Sequence, residues 1–192
     1  MTDRVTYFAY KCHFLHDNQF SFLSGRSCDA ALIKARNWLD AHYRRTYVVS
    51  FLSLDIQGAF PSARWDLILK AAKQLRMPDD LFALLSNFFR NRKVTATVGD
   101  VTKANMLSRG CPQGSVCGPI TWNLLFNSFF TTVENAFLCR MPHLVQVFTD
   151  DGPKPSDVNS TLQTICDILT KWADETGVQF TPLNTGHDDD TR

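Results

Sequence analysis

Three aspartates stand where apolar runs end. Asp55 closes "TYVVSFLSL", and Asp150 with Asp151 closes "LVQVF-T" ahead of Gly152. Adjacent like charges at a strand end either turn out into water or hold a cation. If the two runs are strands lying side by side, three carboxylates converge at one sheet end. A pair of Mg²⁺ ions needs that donor set for phosphoryl transfer, because hard divalent cations take oxygen ligands and two of them, roughly 3.5–4 Å apart, can activate a hydroxyl and stabilise a leaving phosphate. Taken singly, each acid reads equally well as a solvated turn residue.

A second element could bind ligand through backbone. "RGCPQGSVCGP", residues 109–119, combines Arg109 and Gln113 with three glycines and two prolines. Such a loop lets main chain approach a ligand closely while the two long polar side chains make contacts. It has neither the GxxxxGK[ST] spacing of a P-loop nor the GxGxxG of a dinucleotide site. As plain structure it is a rigid loop leading into a helix.

The elements that must position these groups can be read from periodicity. The first 26 residues are aromatic-rich and irregular. Ser27 is placed to cap a helix over 28–43, with Ala31, Leu32, Ala35, Trp38 and Leu39 on one face. A buried strand then leads to Asp55 and a small-residue turn at Gly58 and Ala59. Helices are expected over 64–76 and 79–91, separated by Met77-Pro78, with Asp79 and Asp80 complementing the dipole of the second. Alternation around Gly99-Asp100 predicts a hairpin of strands 93–98 and 101–107. "ITWNLLFNSFFTTVENAF" is a mostly buried helix. The run before Asp150 is a strand, and Leu162, Ile165, Ile168, Leu169 and Trp172 line a helix that stops at Gly177. A short strand and a polar tail finish the chain. Strands and helices without strict βαβ alternation argue an α+β domain.

Length and composition allow one domain: 192 residues, 44% hydrophobic and 20% charged, suit a single sizeable core. The net charge of +1 hides a division. Residues 1–110 carry 16 Lys and Arg against 9 Asp and Glu, a surplus of 7, and residues 111–192 carry 4 against 10, a deficit of 6. A basic front suits a polyanionic partner and an acidic rear suits cations, although surface charge also segregates without function. The 6 cysteines form no C-x-x-C pair and have no histidine at zinc spacing, so free thiols are expected. No signal core and no membrane-length apolar run is visible, which reads as an intracellular protein of the nucleus or cytoplasm.

Taken in order, "QFSFLSGRS", "LSLDIQGAF", "RGCPQGSVCGPITWNLLFN" and "VFTDDG" resemble the successive motifs of reverse transcriptases, most closely those of non-LTR (LINE-type) retrotransposons. The resemblance spans about residues 17–185. It implies a polymerase palm, an antiparallel sheet with helices packed on one face, plus partial fingers over 1–185, followed by a polar tail at 186–192. It implies RNA-directed DNA polymerase activity with two Mg²⁺ ions, Mn²⁺ being the alternative, and an RNA template, a DNA primer and deoxynucleoside triphosphates as partners of a monomer. On this pattern Asp55 is the first catalytic aspartate, Asp150 the second metal ligand with Asp151 beside it, and Ile56 belongs with the metal ligands. Ile56 and Gln57 lie along the triphosphate path. Phe60 matches the bulky residue under the sugar that excludes a 2′-hydroxyl; otherwise it is a core aromatic. Gly110, Pro112, Gln113 and Gly114, with Arg109, resemble the loop against template and nucleotide. Arg26 belongs to the fingers and contacts phosphate or template, or is a surface arginine.

Three departures bear on activity. Leu23 stands where the family usually has an arginine, Asn184 stands near the place of a lysine thought to protonate the leaving pyrophosphate, and no thumb follows. A catalytically inactive remnant with at most nucleic-acid binding is therefore the alternative expectation. A metal-dependent phosphohydrolase using the same acids is a further one, though it gives the glycine-rich loop and Phe60 no role. His187 with Asp188, Asp189 and Asp190 reads as a solvated acidic tail.

Overall fold

The computed structural model describes residues 1–43, 50–52, 54–136, 147–149 and 155–181, with side chains at all of these except 42–43, 50–52, 135–136, 147–149 and 155–162. Asp150, Asp151, Gly152, Asn184, Cys139 and the tail lie outside the described residues.

The chain opens on a helix, α1 (Thr2–Lys11), where an irregular segment was expected. Only Val5 and Ala9 of α1 are fully buried. Two small residues four apart make a faint stripe, but they suffice to seat the helix on a larger partner, and Asp3 and Lys11 complement its dipole. The irregular part is confined to residues 12–27, where His13, Phe22 and Gly25 have positive φ. Ser27 then caps α2 (Cys28–Tyr43) as expected, its Oγ accepting the Ala30 N–H at 3.1 Å. The bounds of α2 match the expectation, but its apolar face does not. Ala35 is buried, Ala31, Trp38 and Leu39 are half-buried, and Leu32 is 62% exposed. Periodicity sets where a stripe lies, not whether anything covers it.

The strand expected to run into Asp55 is split. β1 (Ser50–Leu52) pairs antiparallel with β5 (Val147–Thr149), and β2 (Ile56–Gln57) pairs antiparallel with β6 (Gln179–Phe180). Between them the chain breaks at Asp55, and β2 runs into α3 (Ala59–Ser62) through Gly58, which is left-handed at φ 56. The hairpin of β3 (Lys93–Val98) and β4 (Val101–Met106) turns at Gly99 with Val98 opposite Val101. Among the described residues these make three two-stranded antiparallel sheets.

Helices supply the core. α4 (Trp65–Gln74) stops two residues short of its expected end because Arg76 turns left-handed at φ 53 ahead of Pro78. α5 (Asp79–Phe89), α6 (Cys117–Ala136) and α7 (Pro155–Thr176) follow. α7 ends on Gly177 (φ 71), whose N–H reaches the Ala173 carbonyl at 2.8 Å. Ile68, Leu85, Leu124, Leu125, Phe129, Ile165 and Trp172 form the centre. Full burial of a side chain the size of Phe129 stabilises by about 2–3 kcal/mol. Polar positions on α6 are buried for a reason: Asn127 Oδ1 accepts the His16 N–H at 2.7 Å, and Asn123 Nδ2 donates to the Ser21 carbonyl at 2.9 Å. They fasten the loop of residues 12–27 to the core. The mixture of helices with small antiparallel sheets is α+β. Among the described residues no helix is long and apolar enough to cross a membrane.

Candidate active site

Asp55 sits in the gap between β1 and β2, exposed, and Thr181 holds it from both sides of the peptide. The Thr181 N–H donates to the Asp55 carbonyl at 2.8 Å and the Thr181 hydroxyl donates to Asp55 Oδ2 at 3.1 Å. Those bonds continue the β2–β6 ladder one residue beyond its last pair, Ile56 with Phe180, so the carboxylate is placed by main chain from the far end of the fold. Ile56 is half-buried and Gln57 exposed.

The turn after Asp55 is joined to the glycine-rich loop by a run of backbone bonds. Cys111 N–H donates to the Phe60 carbonyl at 2.8 Å and Gly110 N–H to the Ala63 carbonyl at 2.7 Å. Arg64 and Arg109 form an isolated β-bridge, and the Trp65 indole N–H donates to the Gly110 carbonyl at 2.8 Å. Gly110 has φ 102, and a Cβ there would stand 3.4 Å from the Pro61 carbonyl oxygen. A Cβ would fit at that distance, so it is the backbone conformation that calls for glycine. Beyond this junction Pro112 is half-buried, while Arg109, Gln113 and Gly114 are exposed on the lip. Cys111 is packed inward, its Sγ 3.2 Å from Thr121 Oγ1. Burial pushes the thiols of Cys111 and Cys117 up, so both are packing groups and not nucleophiles at neutral pH.

Phe60 is half-buried and lies at the start of a ladder of rings. Its centroid is 5.7 Å from Phe22 and 6.1 Å from Trp122, which stacks on Phe126 at 5.5 Å and so on to Phe129 at 5.0 Å. The ladder closes through Trp172 and Phe180, next to Ile56 across the strand pair.

The structure thus joins the segment of Phe60, Ala63 and Trp65, which follows Asp55, Ile56 and Gln57 in the chain, to the loop of Arg109, Gly110, Pro112, Gln113 and Gly114. Arg26 is elsewhere in use. Its guanidinium donates to the carbonyls of His16 and Gln19, each at 2.7 Å, and stands 3.5 Å from Asp17, so it braces the loop of residues 12–27 from within. Asp150 and Asp151 lie outside the described residues. The strand leading to them does lie beside β1, with Thr149 opposite Ser50, five residues ahead of Asp55. β5 therefore ends where β1 begins. Among the described residues no three His, Cys, Asp or Glu side chains gather as a metal site. Asp55 itself is an exposed hard-oxygen donor, the kind a divalent cation takes.

Sequence reasoning missed Thr181 and Trp65. A lone threonine just past a two-residue strand carries no signal of its own. Trp65 could have been found, because a buried indole N–H needs an acceptor and a loop rich in glycine offers bare carbonyls.

Comparison with known proteins places the chain in a family. Residues 1–183 match the family described as reverse transcriptase (RNA-dependent DNA polymerase). A "Retrovirus-related Pol polyprotein from type-1 retrotransposable element R1" of Bradysia coprophila is 31% identical over 144 residues, which is 74% of this chain and 13% of the relative. Proteins described as "RNA-directed DNA polymerase from mobile element jockey" are 28% identical over 81% of the chain in Drosophila funebris and 27% over 84% in Drosophila melanogaster. The chain spans 18% of each jockey polymerase, so it corresponds to a small part of those relatives. The chain belongs to the reverse transcriptase family and is a reverse transcriptase domain of the kind carried by non-LTR, LINE-type retrotransposons.

Proposed function

We propose that this domain is the polymerising centre of an RNA-directed DNA polymerase, built as a palm with partial fingers over residues 1–185. The observation that carries the reading is the hydrogen-bonded junction of the turn after Asp55 with Gly110 and Cys111. It ties the segment that carries the Asp55 carboxylate and the half-buried Phe60 ring to an open, glycine-rich lip by backbone hydrogen bonds, which suits holding a triphosphate and a template against each other. In the reaction the primer 3′-oxygen bonds to the α-phosphorus of a deoxynucleoside triphosphate, the bond to the bridging oxygen breaks, and pyrophosphate leaves. Asp55, Asp150 and Asp151, with the main chain of Ile56, are the groups that would hold two Mg²⁺ ions, or Mn²⁺ in their place. Such ions supply an activated hydroxyl and neutralisation of the leaving phosphate. Gln57 lies along the triphosphate path, Phe60 lies under the sugar and rejects a 2′-hydroxyl, and Arg109, Gly110, Pro112, Gln113 and Gly114 face template and nucleotide. RNA template and DNA primer are bound mainly through phosphate, so binding weakens as salt rises. A fingers contact of Arg26 to phosphate or template requires it to release the His16 and Gln19 carbonyls.

Two observations favour a second reading, a catalytically silent remnant that retains at most nucleic-acid binding. Leu23, where the family usually carries an arginine, is buried in the core, and the β1–β5 register sets Thr149 opposite Ser50, at the end of the pair away from Leu52. Primer extension on an RNA template with Mg²⁺ and deoxynucleotides separates the two. The purified chain is assayed beside its Asp150→Ala variant. Extension by the wild type alone supports the polymerase, and absence of extension in both, with the duplex still bound, supports the remnant.

A further inference from the structure

Phe22 is held in a posture that its own chemistry disfavours. Its φ is 56, a left-handed conformation uncommon for any bulky side chain, and its ring is 61% exposed. Everything around it explains how the posture is kept. The Ser21 carbonyl accepts from buried Asn123 Nδ2, Gln19 is buried and donates its Nε2 to the Asn123 carbonyl at 3.2 Å, and Leu23 is buried on the other side. The turn is over-determined by its neighbours, and the one side chain it displays is an aromatic ring. That ring sits 5.7 Å from Phe60, tilted by 54°.

We propose that Phe22 is a nucleotide-contact residue, its ring packing against the base of the incoming deoxynucleoside triphosphate next to Phe60. The inference rests on the reading of Phe60 as the residue beneath the sugar, since the base extends from that sugar by about one ring, the spacing between the two phenylalanines. A phenyl face suits the task, because every base presents a π face and stacking discriminates little among them. The exposed end of the aromatic ladder then gains the partner it lacks in the free protein, and the backbone strain is offset only when nucleotide is bound.

The test is photocrosslinking with 5-iodo-2′-deoxyuridine triphosphate in the presence of Mg²⁺ and an RNA template with annealed DNA primer, with unmodified dTTP as competitor. The expected result is a dTTP-competed crosslink on the tryptic peptide of residues 12–26, absent in Phe22→Leu. A competed crosslink only on the peptide of residues 46–64, which carries Phe60, would overturn the role of Phe22 and leave the polymerase reading standing. No competed crosslink on any peptide would remove both. Phe22→Gly supplies a second readout: glycine relaxes the left-handed backbone, so the melting temperature is expected not to fall, while the dTTP dissociation constant by equilibrium dialysis rises about tenfold. A lowered melting temperature with unchanged dTTP affinity would make Phe22 a packing residue and nothing more.

Discussion

The junction around Gly110 and the β3–β4 hairpin are neighbours in sequence and opposites in construction. Every residue of the hairpin strands is exposed, and the hairpin is held by its own ladder, closed at the base by the Leu107 N–H on the Arg92 carbonyl at 2.8 Å. The junction has few regular secondary-structure bonds, yet its backbone groups are taken by partners some fifty residues away, and Trp65 beneath it is stacked on Phe89 with centroids 5.3 Å apart. Local pairing gives a hairpin its register and leaves it tolerant of change. Long-range pairing gives the junction its position and leaves it dependent on single residues.

That contrast can be broken at the indole. Trp65→Ala removes a buried ring and the donor to Gly110 together, and is expected to cost about 3–5 kcal/mol, read as a lowered denaturation midpoint in urea. Gly110→Ala comes next. It places a methyl group at a left-handed φ and against Pro61, for about 1–3 kcal/mol by the same measurement. On the hairpin, the double change Val98→Thr and Val101→Thr at the exposed tip pair is expected to stay within about 0.5 kcal/mol of wild type. A hairpin change as costly as the glycine change would mean that the hairpin is covered by something in the folded protein.

The loop of residues 12–27, fastened to α6 through Asn123 and Asn127, sharpens the comparison through pH. Burial holds the His16 ring below its ordinary value of 6.5, against the opposing pull of Glu134 3.4 Å away, and His16 Nδ1 accepts the Asn18 N–H at 3.1 Å. The folded state therefore binds fewer protons than the unfolded state near and below pH 6.5. Stability from this group is complete above that pH and is lost as pH falls through it toward the depressed folded value. Urea unfolding of wild type and His16→Gln across pH 5–8 should show the wild type losing stability relative to the variant on the acid side. This is the smallest of the four effects.

What was legible in the sequence follows the same division. The Ser27 cap, the turn at Gly99 and the stop at Gly177 are local devices, and each stands where the residues put it. The glycine-rich loop was recognisable as a segment with special backbone demands, and Gly110 and Gly114 do have positive φ. The split of the strand at Asp55, the exposure of Leu32 and the engagement of Arg26 with two carbonyls were not legible. Each depends on which distant segment arrives as a partner. α1 escaped notice for a related reason: Val5 and Ala9 are too small a stripe to read without the surface that receives them. Of the candidate site, Asp55 and the loop were singled out by residue type, Trp65 left a signal that went unread, and Thr181 required the fold.

The bond between Thr181 and Asp55 joins residues 126 positions apart. On the ribosome, where chains grow by about 5–20 residues each second, Asp55 emerges on the order of ten seconds before its partner exists. The hairpin needs only its own 14 residues and can close in microseconds once they are clear of the exit tunnel. During synthesis the hairpin can therefore be complete while Asp55 still waits for the segment that places it. A chain cut short ahead of Thr181 keeps the helices' sequence and loses both bonds that hold Asp55.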